Sequence, residues 1–195
     1  FGCAVSGWIG NSFCALQFAP LGLIAYSTVQ PDQELEKPTC TVEVGGVPIL
    51  GGSATHSFVR VIAPSGIPGS FGIGTTIMEG VDEKPKDFVK EAPKGLDKNR
   101  KYLNARLSAT GYMAGSYTVS ENIVFSETSA AMCDLATELM QRFNTYQNWT
   151  LSYSAVNGPN SNSFVHWLIK ASQRLSDVKG PRRARGWNED DKSPY

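Results

Sequence analysis

Two histidines, His56 and His166, are the whole supply of imidazole in the chain, so the search for a general base is short. His56 opens an extended run after Gly51-Gly52-Ser53-Ala54-Thr55, where a side chain can project from a sheet edge into a cleft. Ser161 sits in Asn160-Ser161-Asn162-Ser163, just ahead of apolar residues at Phe164, Val165, Leu168, Ile169 and Leu175. That spacing is helical, and Gly158, Pro159 and the Asn/Ser run suit a turn and an N-cap. Ser161 precedes Phe164, Val165 and Leu168 by helical intervals, so its hydroxyl faces inward at the positive end of the helix dipole. A nucleophile belongs there, and so does an ordinary capping serine. A strand-start histidine facing an inward serine has the geometry of a nucleophile–base pair. The alternative for His56 is a structural histidine bonded to backbone. His166 lies about 140° around the helix from Ser161 and cannot easily bond it.

Around that pair, Glu79 at the end of the following strand is the first choice to orient His56, with Glu121 and Asn104 behind it. Backbone N–H groups at Asn160 and Asn162 would stabilise an oxyanion. Other chemistries lack their residues. The chain has no Walker-A loop, GxGxxG helix start, GxSxG elbow or HExxH. Asp82, Glu83, Glu189, Asp190 and Asp191 sit in polar loops or the tail, without the enclosure a glycosidase pair needs. Cys3, Cys14, Cys40 and Cys133 form no CxxC pair, so neither zinc nor any other metal or cofactor is expected. Four cysteines allow two disulfides in three pairings, with Cys3–Cys14 able to close a small loop; reduced, buried thiols are the alternative. Cys133, beside the apolar face of a helix, reads as structural.

The elements that must position these residues follow from patterning. Thr39 to Leu50 suggests a hairpin turning at Gly45-Gly46. Thr55 to Ala63 alternates, with His56, Phe58, Arg60 and Ile62 on one face and Ser57, Val59 and Val61 on the other. Ser70 to Met78 returns as its partner, its glycines leaving room for a close approach. Val81 to Arg100 is a charged surface excursion with one helical turn near Asp87 to Lys90. Lys101–Met113 and Ser116–Phe125 are further strands. Ser126 caps a helix running to about Tyr146, on the stripe Ala131, Met132, Leu135, Leu139, Phe143 and Tyr146. Trp149 to Val156 is extended. The fold class is α+β: an antiparallel sheet with two packed helices, the second spanning Asn160 to Leu175.

His56-Ser57-Phe58-Val59 on a strand, a β-rich middle, a helix, then Asn160-Ser161-Asn162-Ser163-Phe164-Val165 opening a final helix resembles the circularly permuted papain-like (NlpC/P60-type) superfamily. The resemblance spans about Thr39 to Leu175. It implies a hydrolase or acyltransferase acting on an amide or ester bond, with His56 as base and Ser161 at the position of the family's nucleophilic cysteine. Peptide or peptidoglycan crosslinks are the implied substrates, and lipid acyl groups come next. Serine in place of cysteine admits three explanations: a genuine nucleophile, a lost activity with a retained cleft, or an engineered replacement. A secreted, non-catalytic binding or effector module using the same cleft is the second functional reading.

The 195 residues carry 18 basic and 18 acidic side chains, which excludes an overall basic nucleic-acid binder. Residues 1–38 form an uncharged segment and polar connector expected to pack on the core, with a membrane-touching segment the less favoured alternative. Residues 39–176 form the domain, and 177–195 a mobile charged tail, its Arg182-Arg183-Ala184-Arg185 run a processing or polyanion site in the sharper reading. The chain opens at Phe1, as a processed or excised chain would. The cysteines and the Asn148-Trp149-Thr150 sequon point to a secreted or exported glycoprotein. Oligomeric state is not legible.

Overall fold

The structure is a computed structural model that describes residues 37–67, 72–110, 121–155 and 159–188. Expectations for residues 1–36, for a Cys3–Cys14 bridge, for Gly158 and for 189–195 lie outside these residues. So do those for 68–71, 111–120 and 156–158, which hold the start of one expected strand, the end of a second and half of a third.

The described chain is α+β. Five strands, β1 (Cys40–Ile49), β2 (Ala54–Ala63), β3 (Gly74–Glu83), β4 (Tyr102–Ser108) and β5 (Asn122–Ser129), form one sheet in the order β4-β3-β2-β1-β5. Every neighbouring pair is antiparallel. Helices α1 (Ala130–Thr145) and α2 (Ser161–Lys170) follow. Val42 and Val44 of β1, Val59 and Val61 of β2, Met78 of β3 and Leu103 of β4 share one core with Met132, Leu135 and Leu139 of α1 and Phe164, Val165 and Leu168 of α2. Both helices therefore cover one face. Val47, Phe58 and Ile77 form a smaller cluster, on the opposite parity of their strands. The alternation expected over Thr55 to Ala63 is present, with Val59 and Val61 toward the helices and Phe58 away.

The hairpin turn lies elsewhere than expected. β1 runs straight through Gly45-Gly46, and the chain reverses at Leu50–Gly52, where Leu50, Gly51 and Gly52 all have positive φ. The glycine pair answers to crowding instead. A Cβ on Gly46 would come within 2.3 Å of Thr55 Cγ2 and 3.1 Å of Pro181 Cβ. Such approaches exclude a side chain. The register also shifts at this point, pairing Val44 with Phe125 but Gly45 with Ile123. The extra residue, Val124, makes a bulge. Ile123 then joins the far cluster and Phe125 the main core, so the two do not share a face as their spacing suggests.

Three boundaries move as well. β3 continues to Glu83, and the excursion's only helical turn is Pro85–Asp87. β5 extends through Ser129 before α1 begins, so Ser126 lies in a strand rather than capping the helix. α2 ends at Lys170, short of Leu175, although Leu175 is still fully buried. Cys40, at the start of β1, is bonded to Cys133 on α1, one of the three pairings and the structural role expected of Cys133.

One close approach sets α2 on the sheet, and aromatic contacts tie it to α1. A Cβ on Gly80 would lie 2.7 Å from Phe164 Cβ, so the bare backbone of β3 admits the helix closely. Phe164 then meets Tyr146 edge-on at 5.0 Å and Phe143 at 6.0 Å, while the Arg142 guanidinium lies 4.4 Å over Trp167.

Over its described residues, 177–188, the segment expected as a charged tail packs on the domain. Leu175 and Trp187 belong to the main core, and His166 stacks on Trp187 at 5.3 Å. Thr55 Oγ1 donates to Arg182 O at 2.6 Å, and Arg183 Nη1 donates to Gly52 O. Charge along 177–188 conceals backbone and aromatic anchors that hold it against β2 and α2.

Candidate functional site

α2 begins with a fully formed capping box. Asn160 Oδ1 accepts from Asn162 N at 2.9 Å and Ser163 N at 3.3 Å, while Asn160 N donates to Ser163 Oγ at 2.8 Å. The Asn/Ser run thus satisfies two of the otherwise orphaned amides of the first turn, those of Asn162 and Ser163. Asn162 Oδ1 accepts from Ser57 N at 3.0 Å and Ser57 Oγ at 2.7 Å, tying the helix to β2. Its Nδ2 donates to Arg185 O at 2.7 Å, and Asn160 Nδ2 to the same carbonyl at 3.1 Å. The C-terminal segment therefore closes over the helix start.

Ser161 faces inward, only 2% exposed. Its hydroxyl is hydrogen-bonded to the Tyr153 phenol. Tyr153 N donates to Lys101 O at 2.9 Å, which places its segment along β4. Burial, with the Asp82 carboxylate adding to it, pushes the Tyr153 phenol up to about 12, and the Ser161 bond offsets part of that rise. The phenol is thus protonated near neutrality and is no base for Ser161. Asp82 itself pairs with Lys101.

His56 is on the other side of the sheet. Its Nε2–H donates to Glu79 Oε2 at 2.7 Å, with Glu79 completely buried. The next residue, Ser57, makes the α2 contact, and successive strand side chains point to opposite faces. Glu79 is therefore the orienting partner for His56, but Ser161 is not brought to the imidazole. The reason is register: β2 presents Thr55, Ser57 and Val59 toward the helices. The other candidates for that partner are engaged elsewhere. Glu121 receives both Arg60 Nη1 at 2.8 Å and Arg60 Nη2 at 2.7 Å. Asn104 donates to Glu83 Oε2 and accepts from Trp149 N, each at 2.7 Å.

The oxyanion role assigned to Asn160 and Asn162 meets a structural obstacle. The amide of Asn162 is already spent on the Asn160 side chain, and Asn160 through Ser163 are all buried. No group of three or more metal-ligating side chains occurs among the described residues. Between β1, β2 and the C-terminal segment, a cavity of about 410 Å³ is lined by Gly46, Pro48, Thr55, Asn122, Arg182 and Arg183, together with Gly52.

Sequence reasoning missed Tyr153, Ser57 and the Arg182–Arg185 clamp. Tyr153 carries no motif. The clamp works mainly through backbone carbonyls, which any side chain supplies. Asn148 of the sequon accepts from Ala105 N at 2.8 Å, so it has a structural part in holding the β4 edge.

No family model, curated protein or solved structure matches this chain. The Cys40–Cys133 disulfide is compatible with a secreted protein, and no helix among the described residues is long and apolar enough to cross a membrane.

Proposed function

We propose that the chain is a secreted or exported non-catalytic binding or effector module, built on an α+β scaffold of permuted papain-like type. The observation that carries this reading is the state of the α2 start. Ser161 is buried, bonded to Tyr153 and separated by the sheet from His56. An acyl-transfer site needs an accessible nucleophile, a base within hydrogen-bond reach and free oxyanion donors. The Ser161 position lacks the first two, and the Asn162 amide is already taken. The cavity lined by Arg182, Arg183 and Asn122 offers a ligand a donor set suited to the carboxylate of a peptide or peptidoglycan stem. The test is a panel of peptide, peptidoglycan and ester substrates. Wild type, Ser161→Ala and His56→Ala should all match the blank, and Ser161→Cys should gain no thiol-dependent hydrolysis. Activity abolished by both alanine variants would overturn the reading.

The His56–Glu79 pair favours a second reading, amide or ester hydrolysis in which the imidazole serves as base for a water molecule. A buried carboxylate 2.7 Å from Nε2 orients the ring. Here His56→Ala and Glu79→Gln would abolish hydrolysis while Ser161→Ala would leave it intact. The substrate panel therefore separates both readings from a Ser161 enzyme.

A further inference from the structure

We infer that the excursion between β3 and β4 docks on an anionic lipid surface, a property independent of the readings above. Between positions 84 and 101 lie seven basic residues against Asp87, Glu91 and Asp97, in a chain whose formal net charge is zero. Lys101 pairs with Asp82 and Glu91 with Arg106 at 2.9 Å, which leaves Lys84, Lys86, Lys90, Lys94, Lys98 and Arg100 against Asp87 and Asp97. The excess of positive charge is therefore local.

The same excursion forms an apolar cleft of about 350 Å³. Pro85, Val89 and Leu96 contribute apolar walls, Lys86, Lys94 and Lys98 stand around it, and no carboxylate lines it. Val89 is 79% exposed. An outward valine beside a cleft edged by lysines suits an interface that is apolar inside and anionic outside. Lysine stems lie along acyl chains while their ammonium heads reach phosphates. An acidic peptide would satisfy the lysines but not the apolar walls.

The loop is held in shape for this. Phe88 packs 6.0 Å from the Trp149 ring, and the Arg106 guanidinium lies 5.2 Å over Phe88. Ala92 N donates to Phe88 O at 2.9 Å. Binding would order little new backbone.

The test is sedimentation of the full chain with phosphatidylcholine vesicles, with and without phosphatidylserine. The wild type should bind only vesicles containing phosphatidylserine and should release at about 1 M salt, where the Debye length is about 3 Å. Lys86→Glu/Lys94→Glu/Lys98→Glu should bind at least about tenfold more weakly, and Val89→Asp should also weaken binding, with circular dichroism unchanged in both. Lys179→Glu, at an exposed position of the C-terminal segment, should bind as wild type does. Equal binding to both vesicle types, or full binding by the triple variant, would overturn the proposal. So would binding to polyglutamate as tight as to vesicles and indifferent to Val89→Asp.

Discussion

Ser57 and Asn162 join β2 to the first turn of α2 by two hydrogen bonds, one from the Ser57 amide and one from its hydroxyl, at 3.0 and 2.7 Å. Through Nδ2, the same asparagine holds Arg185 O at 2.7 Å. One side chain therefore ties together sheet, helix and C-terminal segment.

Asn162→Ala should be far costlier than Ser57→Ala. The asparagine change leaves the Ser57 amide and hydroxyl without their Asn162 partner and takes from the Arg185 carbonyl the shorter of its two donors, costing about 3 kcal/mol at about 1 kcal/mol per bond. Ser57→Ala removes only the hydroxyl bond and should cost about 1 kcal/mol. Urea denaturation of the two variants checks the order.

Breaking the His56–Glu79 pair should also destabilise. His56→Ala takes the imidazole from a carboxylate that is 0% exposed, and removing one member of a buried pair costs about 3 kcal/mol. Glu79→Gln keeps an acceptor oxygen for Nε2–H and should cost less, which the same denaturation experiment resolves.

Tyr153 sets an alkaline limit. Its folded-state pKa is raised from 10.0 to about 12, so the folded state resists an ionisation that the unfolded chain undergoes freely. Stability from this group is fully present below the unfolded value of 10.0 and is lost as pH rises toward about 12. Tyr153→Phe should flatten the decline over that window and remove one late-titrating tyrosine from the ultraviolet titration.

The Cys40–Cys133 bridge closes a loop with a sequence separation of 93. For a loop of that size the chain-entropy model gives about 4–5 kcal/mol. Cys40→Ala/Cys133→Ala, or reduction, should lower stability in guanidinium by about that amount, and peptide mapping of the oxidised chain should recover this pairing.

Much of the scaffold is legible in the residue pattern, because periodicity depends on burial. The alternation in β2 and the apolar stripe of α2 follow from it directly, and Glu79 falls where a partner for His56 was sought. What pattern does not reveal is register and backbone crowding. Gly45-Gly46 looks like a turn locally, yet Thr55 and Pro181 demand the missing Cβ at Gly46. The bulge at Val124 moves Ile123 to the other face. At the site, helical spacing turns Ser161 inward without telling which face of the sheet His56 occupies. The C-terminal segment misleads for a similar reason. Its charges are exposed, while Arg182 O and Arg185 O make the contacts that matter.

Whether Ser161 is a sealed structural serine is decided by the alkylation rate at position 161 in Ser161→Cys, followed peptide by peptide at neutral pH. The folded protein should react far more slowly there than the denatured chain, since a buried thiol with no imidazole beside it forms little thiolate. Alkylation in the folded protein faster than in the denatured chain, and slowed by His56→Ala, would contradict the claim and restore the nucleophile–base pair.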